Sequence, residues 1–459
     1  MTTKLAFNQV NNSSVNLGDT ATGTGLVDET SLVQAALDSG AKEVIVPHGK
    51  TFLCTSTITR PADVVIKGSG TIKFNLTVVG DYGLHVTTDG GGIGDVKFEN
   101  VSAVANTETV RLEDVNNVFV KGIEIEGGHY GLSVQNVAAV YTVNQDLDIS
   151  GNYIHDTASS GFDLGQISNC VVANNIAVDC GTDGFKFRQV CKDLSIIGNN
   201  ARTCTRDGFD FYDGLINSVV IGNVADNNTL NGFELKGDIA VTDYVFRDNS
   251  FIGNVAKGND NFGFQLQSMR ATAFSGNTAY QNTEGGWLLN EVQECTFASD
   301  KATANFKHGF DIRIASRCTF SGCMAVDNSY VDGTTQNGTY HGFEVLAAAD
   351  SLDFTGCRAL NGTTTGVKGG QGYGINFATG AADNRVIGGR FEDNVTGDFG
   401  GATSTNNFAT FSAGINDFEI RPAGVTSFGT HTAIGAETVT GYITIKDEGG
   451  TSRKIAVVS

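Results

Sequence analysis

Apolar residues return along the chain with a long and regular period. A glycine followed by a large apolar residue recurs every 23 or 24 residues, and the interval lengthens to 31, 33 and 32 residues at three places. Apolar and polar residues alternate after each glycine, so one side chain enters a core as the next leaves it. The strong copies are Gly161-Phe162, Gly184-Phe185, Gly208-Phe209, Gly232-Phe233, Gly263-Phe264, Gly286-Trp287, Gly309-Phe310, Gly342-Phe343 and Gly374-Ile375.

Weaker copies and two further patterns accompany these glycines. Copies at Gly83-Leu84, Thr109-Val110 and Gly131-Leu132 extend the series to at least twelve repeats. An alanine recurs in step at Ala177, Ala201, Ala225, Ala256, Ala279, Ala302, Ala325 and Ala359. Amides stacked at one position can hydrogen-bond along the axis of a repeat structure. Such a ladder is predicted from Asn174, Asn199, Asn223, Asn254 and Asn277, ended by Asp300, Cys323 and Cys357.

The repeat predicts a single elongated fold. One unit cannot bury its own apolar face, but stacked units bury a continuous core and pair each backbone with the units above and below. The predicted fold is therefore all-β, a right-handed parallel β-helix of at least twelve rungs. Helical repeats are excluded because the units are strand-like and have Gly and Asn at their turns. A propeller is excluded because each blade needs roughly 40 or more residues.

The longer intervals predict loops that leave the stack. They fall near residues 236–247, 327–339 and 361–371. The last two are predicted to leave adjacent rungs at the same corner. Loops on one side of a rigid solenoid commonly form its binding surface, so this side is expected to meet a ligand.

The two ends of the chain differ from the repeats. Residues 28–41 have apolar residues at helical spacing, a polar start and a glycine stop, which predicts an amphipathic helix that caps the core. Residues 441–458 predict a β-hairpin with a Gly-Gly turn. The predicted division is an N-terminal segment 1–27, a β-helix 28–395 and a C-terminal β region 396–459 that contains the hairpin.

Composition narrows the possible functions. Fifty acidic and 30 basic residues leave a net charge of −20, which disfavours nucleic acid and anionic membranes as partners. No apolar run is long enough to insert into a membrane, and the first residues lack the apolar core of a signal peptide, so synthesis in a cytoplasm is expected. Nine cysteines without a CxxC pair favour buried free thiols over disulfides or zinc.

Charged residues concentrate at two positions of the repeat that the alternation places outside the core. The first holds Asp163, Lys186, Asp210, Glu234, Gln265, Leu288, Asp311, Glu344 and Asn376. The second, two residues later, holds Gly165, Arg188, Tyr212, Lys236, Gln267, Asn290 and Arg313. The adjoining corner holds Asp183, Arg206 and Asp207. These positions predict one dense patch of acids, bases and a tyrosine between residues 163 and 236.

Two carboxylates with different roles are what glycoside hydrolysis requires. Asp210 and Glu234 are predicted one rung apart, about 4.8 Å, near the ~5–5.5 Å of retaining enzymes. Asp163 and Asp210 are predicted two rungs apart, about 9.6 Å, at the upper edge of the ~6.5–9.5 Å of inverting enzymes. Alternatively, the column is only a solvated face whose charges compensate one another.

The order of the N-terminal motifs carries a family resemblance. The segment SLVQAALDSG, followed by EVIVPHGKTF and then by stacked rungs, resembles the pectate-lyase-like β-helices and, among them, the bacteriophage tailspikes. This resemblance covers residues 28–395. It implies a homotrimer that binds, and often cleaves, a host surface polysaccharide. It also implies a place on the virion tail with other tail proteins, after assembly in the host cytoplasm, and attachment through residues 1–27 or another protein.

The resemblance extends to candidate site residues. Asp207-Gly-Phe-Asp210 resembles the closely spaced aspartate pair of hydrolytic tailspikes, with Glu234 or Asp183 as the third carboxylate. Asp207, Asp210 and Glu234 are therefore the expected catalytic residues, without a metal or a cofactor. The expected substrate-binding residues are Asp163, Asp183, Lys186, Arg188, Arg206, Tyr212 and Lys236.

Two other functions stay open at this point. A non-enzymatic adhesin would bind a polysaccharide without cleaving it, and its carboxylates would only be solvated. A polysaccharide lyase or C5-epimerase would need a base such as Lys186, Arg188 or Tyr212, often with calcium held by carboxylates. The motifs that are diagnostic of those enzymes are not evident in the sequence.

Three conspicuous side chains are assigned structural roles. His308 and His341 share the corner position before the repeat glycine, where a turn-capping or surface role is favoured over metal binding. Trp287 replaces the inward phenylalanine of its unit and is expected in the core.

Overall fold

The structure is a computed structural model of the 459-residue chain. It describes residues 14–136, 144–237, 246–331, 335–336, 338–361, 370–401, 407–410, 439–446 and 452–458.

The chain forms a right-handed parallel β-helix of about 15 rungs, as predicted, with three parallel sheets along its length. The first sheet consists of Ser14–Asn16, Glu43–Ile45, Val65–Lys67, Gly92–Gly94, Phe119–Lys121, Asp148–Ser150, Val171–Ala173, Ser195–Ile197, Val219–Ile221, Ser250–Ile252, Ala273–Ser275, Thr296–Ala298, Thr319–Ser321, Asp353–Thr355, Arg385–Ile387 and Phe408–Thr410.

The second sheet has 15 strands and lies next along each rung. It consists of Thr24–Asp28, Thr51–Cys54, Thr71–Phe74, Lys97–Asn100, Glu124–Gly127, Tyr153–His155, Ile176–Val178, Asn200–Arg202, Val224–Asp226, Val255–Lys257, Thr278–Tyr280, Lys301–Thr303, Met324–Val326, Arg358–Leu360 and Arg390–Glu392.

The third sheet contains the repeat glycine and the charged positions, and several of its rungs are divided into two short strands. It consists of Ile58–Arg60, Tyr82–Val86, Glu108–Glu113, Leu132–Gln135, Asn144–Gln145, Phe162–Gly165, Ile167–Ser168, Phe185–Arg188, Cys191–Lys192, Phe209–Tyr212, Leu215–Ile216, Phe233–Lys236, Phe246–Arg247, Phe262–Arg270, Gly285–Gln293, His308–Ser316, Phe343–Asp350, Tyr373–Phe377 and Gly397–Gly400.

The aromatic residues of the repeat stack along the core. Phe185, Phe209 and Phe233 lie on one another with ring centroids 4.9 and 4.8 Å apart, and Trp287 takes its place in the same stack. The repeat glycine is required because the next rung is so close. A Cβ at Gly208 would lie 2.7 Å from the Cβ of Ala225 and 2.8 Å from the carbonyl oxygen of the next repeat glycine. The predicted glycine and alanine ladders are thus two sides of one tight contact.

The predicted amide ladder exists, but one residue was assigned to the wrong place. Asn175, not Asn174, is stacked below Asn199, and its amide donates to the Asn199 side-chain oxygen at 2.9 Å. Asn174 instead occupies the corner with a left-handed φ of 55°. The ladder ends at Asp300, which accepts from Asn277 at 2.8 Å. A second ladder, which the sequence patterns did not suggest, consists of Asn228, Asn259, Asn282, Asn305 and Asn328.

The ends of the stack extend beyond the predicted limits. Paired strands begin at Ser14 and continue to Thr410, whereas the expected β-helix covered residues 28–395. The predicted N-terminal helix is confirmed at Thr30–Leu37, and its buried residues Val33, Ala36 and Leu37 join the core. A short 3-10 helix, Leu17–Asp19, precedes it.

Other predictions concern loops, cysteines and the C-terminus. Most of the predicted loops 236–247 and 361–371 lies outside the described residues, as do residues 332–334 and 337 of the predicted loop 327–339. Within the loop 327–339, Tyr330–Val331 pairs antiparallel with Thr335–Gln336. The C-terminal hairpin is confirmed by antiparallel Val439–Lys446 and Ser452–Val458.

All nine cysteines are buried and unpaired, as expected. Neither helix of the described part could span a bilayer.

Candidate functional site

The register of the third sheet stacks the first charged position as predicted. Asp163 pairs with Lys186, Lys186 with Asp210, and Asp210 with Glu234, each in the next rung. The second position is aligned only in part, because the register shifts between Asn290 and the rung above. Asn290 pairs with Ile314 there, so Arg313 was wrongly assigned to this column.

The aspartates of the patch are buried, which the alternation did not predict. Asp163 and Asp183 are each 1% exposed, and Asp207 and Asp210 are 0% exposed. By contrast, Tyr212 is 40% exposed at the edge of the same surface. A simple solvated face is therefore excluded for these four carboxylates. We call Asp183, Lys186, Arg206, Asp207, Asp210 and Glu234 the central cluster.

Two cations bind the aspartates of the central cluster. The Lys186 ammonium donates to Asp210 Oδ2 at 2.7 Å and lies 3.5 Å from Asp183 Oδ2. The Arg206 guanidinium lies 3.9 Å from Asp183 Oδ1 and 3.6 Å from Asp207 Oδ2. Lys186 lies at the first outward position and Arg206 at the corner. The ion pairs therefore link the outward position to the corner.

Asp163 is held differently, in a closed pair at the edge of the cluster. Arg188 donates to both of its oxygens, at 2.7 and 2.8 Å, and Gln135 donates to Oδ2 at 3.2 Å. Bidentate guanidinium–carboxylate pairs are among the strongest charged contacts in proteins. Asp163 therefore has little capacity left to act as a base, which weakens the predicted Asp163–Asp210 pair.

Asp207 and Asp210 each have one side-chain oxygen that accepts no hydrogen bond. Asp207 Oδ2 and Asp210 Oδ1 are buried without a hydrogen bond, although the backbone N–H of Asn231 donates to Asp207 Oδ1 at 2.8 Å. Burial, reinforced by the charges of Glu234 and Asp183, raises the pKa of Asp207 to about 8. Burial also raises the pKa of Asp210 to about 7, against the lowering effect of Lys186. Asp207 is thus a carboxylic acid that can hold its proton at neutral pH.

Tyr212 offers an aromatic surface beside the cluster. The Lys186 and Lys236 ammonium groups lie 5.2 and 5.5 Å from the centroid of its ring. Such cation–π contacts hold the ring in place while leaving part of it exposed.

The charged surface continues into lower rungs that the sequence analysis did not single out. Arg111 is buried between Glu108 at 3.1 Å and Glu113 at 2.8 Å, over the ring of Tyr82. His85 contacts Glu113 at 3.2 Å. The weaker repeat copies contained the signal, because the residue after each apolar position is outward there too.

One group of residues in the described part could offer metal ligands. Atoms of Glu124, Glu126 and His155, on the second sheet, lie within 4.8 Å of one another. The Lys97 ammonium contacts both glutamates, at 2.7 and 2.8 Å. A lysine thus supplies the positive charge that a cation would bring.

Comparison with known proteins agrees with this fold. The sequence model of a family described as a right-handed β-helix region matches residues 64–242. The A-modules of the mannuronan C-5 epimerases AlgE4 and AlgE6 of Azotobacter vinelandii are similar in structure. Their TM-scores are 0.51 and 0.50 at 18% and 17% identity, over 86% of this chain and 99% of each module.

A tailspike is also among the similar structures. Tailspike protein 2 of the Escherichia coli O157:H7 bacteriophage CAB120 is 14% identical, with a TM-score of 0.47 over 68% of this chain and 43% of the tailspike. No curated protein sequence matches the chain significantly. At these identities the shared property is the β-helix itself.

Proposed function

We propose that the protein binds a bacterial surface polysaccharide along the third sheet and hydrolyses it at the central cluster, as a phage tailspike does. The observation that carries the proposal is the pair of fully buried aspartates, Asp207 and Asp210. Each has one oxygen that accepts no hydrogen bond. Glycoside hydrolases use two carboxyl groups, one of which is protonated while the other is ionised.

The residues of the cluster have distinct roles in this proposal. Asp207 is the general acid and gives its proton to the glycosidic oxygen as the C–O bond breaks. Asp210, whose charge Lys186 stabilises, acts as base or nucleophile toward the anomeric carbon. Glu234, one rung above, keeps Asp207 protonated through its negative charge. Water supplies the remaining atoms of the two products.

The ion pairs favour hydrolysis over elimination or epimerisation of uronates. A lyase or C5-epimerase must neutralise the carboxylate of its substrate with a cation. Here Arg188 is bound by Asp163, Lys186 by Asp210, and Arg206 lies between Asp183 and Asp207. The surface is thus better suited to an uncharged glycan than to a polyanion.

The biological setting of the proposal comes from the sequence resemblance. It comprises a homotrimer on the virion tail, contacts with other tail proteins, and attachment through residues 1–27 or another protein.

Cleavage can be measured with purified bacterial O-polysaccharides and capsular polysaccharides. The parent protein should shorten one of them and release new reducing ends. Asp207→Asn and Asp210→Asn should each lower kcat by about 10²–10⁴-fold, the usual contribution of a general acid or base. Asp260→Asn, at an exposed corner residue, is the matched control and should cleave like the parent.

Each alternative has its own signature in the same experiment. Unsaturated ends that absorb ultraviolet light would identify a lyase, and binding without shortening would identify an adhesin. Full activity of both aspartate variants would place the catalytic site elsewhere.

A further inference from the structure

A second polar cluster lies on the first charged column of the third sheet and beside it, nearer the C-terminus. We call Asp311, Arg313, His341, Glu344 and Asn376 the distal cluster. Asp311 pairs with Glu344, and Glu344 with Asn376, in consecutive rungs. His341 lies at the corner beside Glu344, at the repeat position that Asp183 and Asp207 occupy in the central cluster. Asp311 is 7% exposed and Glu344 is 9% exposed.

Backbone contacts fix the histidines in one neutral form. The N–H of His341 donates to His308 Nδ1 at 3.0 Å, and the N–H of Tyr373 donates to His341 Nδ1 at 3.1 Å. A ring nitrogen that accepts a backbone N–H cannot also carry a proton, so the proton of each neutral ring is on Nε2. Burial lowers the pKa of His308 to about 3 and that of His341 to about 4, in agreement with this tautomer. His341 Nε2–H, 3.4 Å from Glu344 Oε2, is thus a permanent neutral donor.

The two carboxylates of the distal cluster are held by one oxygen each. Asn376 donates to Glu344 Oε2 at 2.8 Å, the same oxygen that faces His341. Arg313 donates twice to Asp311 Oδ2, at 3.0 and 2.9 Å. Burial raises the pKa of Glu344 to about 7, whereas Asp311 has a guanidinium partner. Acceptor and donor groups therefore stand side by side, as recognition of sugar hydroxyl groups requires.

The distal cluster is aligned with the central cluster along the sheet. From Glu234 the column passes Gln265 and Leu288 before it reaches Asp311, three rungs or about 14 Å away. Phe262 and Leu288, which lie between the two clusters, are each only 8% exposed. An extended chain on this surface would meet the charged central cluster, then an interval that contains Gln265, Gln267 and Asn290 but no charged column residue, and then the distal cluster.

We propose that the distal cluster is a second sugar-binding subsite, which recognises hydroxyl groups of the same uncharged polysaccharide at a distance from the site of cleavage. This inference rests on the proposed function. His341 and Arg313 donate, Asp311 accepts, and Glu344 does either according to its protonation state. A polyanion is disfavoured because two carboxylates face it and the arginine is already paired.

A comparison of long and short ligands tests the subsite. The probes are the purified polysaccharide that the parent binds best and short oligosaccharides prepared from it by partial acid hydrolysis. Glu344→Gln and Asp311→Asn should weaken binding of the polymer, and raise its KM, about tenfold, as expected for one or two lost hydrogen bonds. Binding of the short oligosaccharides should stay within about twofold of the parent. Asp350→Asn, an exposed residue at the end of the same strand, is the control.

The outcomes separate the two proposals. Unchanged polymer affinity in both variants, or equal losses on long and short ligands, overturns the subsite. A parent that binds the polymer without shortening it overturns hydrolysis, while the affinity comparison still decides the subsite. A parent that binds no polysaccharide overturns both. Thermal melting of the near-isosteric variants verifies that they are folded.

Discussion

At the scale of single residues, the burial of Asp207 and Asp210 lowers the stability of the fold, which a neutral side chain at either position would not do. A fully buried carboxylate with one oxygen that accepts no hydrogen bond is unfavourable by several kcal/mol unless it binds a proton. Asn or Ser at either position would avoid this cost. Buried acids with strongly raised pKa values are typical of functional sites.

The first residue-scale prediction concerns pH and Asp207. Its pKa is about 8 in the folded protein and ordinary in the unfolded chain, so the folded state binds the proton more tightly. Folding stability should therefore fall as the pH rises from about 4 to about 8. In Asp207→Asn the part of this loss that is due to Asp207 is absent, and the variant should be more stable than the parent at high pH by on the order of 1–3 kcal/mol.

Urea unfolding followed by circular dichroism at acidic and alkaline pH measures this difference. Asp260→Asn should follow the parent at both pH values. A parent and an Asp207→Asn variant with parallel pH dependence would show that the carboxyl titrates normally.

At the scale of elements, strands of three or four residues are too short to be stable alone, and the amide ladders supply part of what holds them. Asn199 links three rungs: it accepts from Asn175 and donates to Asn223 and to the backbone carbonyl of Val172. Its side-chain oxygen also accepts the backbone N–H of Asn175. One amide thus satisfies several buried groups at once.

Asn199→Ala should consequently destabilise the protein by about 2–4 kcal/mol, because it leaves buried donors and acceptors unsatisfied. Asn200→Ala is a matched control one residue away, since the Asn200 side-chain oxygen has no hydrogen-bond partner. Chemical unfolding of both variants measures the difference. Equal, small effects would mean that water replaces the ladder.

Particular residues show which features of the elements the sequence could predict. Glycine and alanine recur because each rung meets the next at the same close contact, so their ladders were predictable. Asn174 and Asn175 are adjacent and identical, and only packing decides which one turns inward. Arg313 was misplaced because a register shift of one residue leaves no trace in the spacing.

The sequence could predict which residues make up the candidate site, but not that its aspartates are buried. The alternation placed Asp163, Lys186 and Asp210 on one column, and the structure has them there. Whether an outward carboxylate is solvated depends on neighbouring side chains and rungs, which a local pattern does not contain.

At the scale of the whole molecule, one hydrophobic core runs from Leu17 to Phe391. Stacked repeats of this kind are stabilised by contacts between neighbours. The chain also carries a net charge of −20, so copies of it repel one another unless specific surfaces meet.

The proposed homotrimer makes a prediction at this scale. Light scattering should give a mass three times that of the 48.2 kDa chain. Because the charges repel, dissociation on dilution should be greater in low salt than in high salt. A 48.2 kDa particle at every concentration would contradict the trimer.

Because the rungs have a fixed spacing, the third sheet sets the distance between the two clusters. The interval between Glu234 and Asp311 can change only in whole coils, each about 4.8 Å high. A protein with one coil added or removed between them would therefore measure a longer or shorter stretch of glycan, and the size of its smallest products should change in discrete steps.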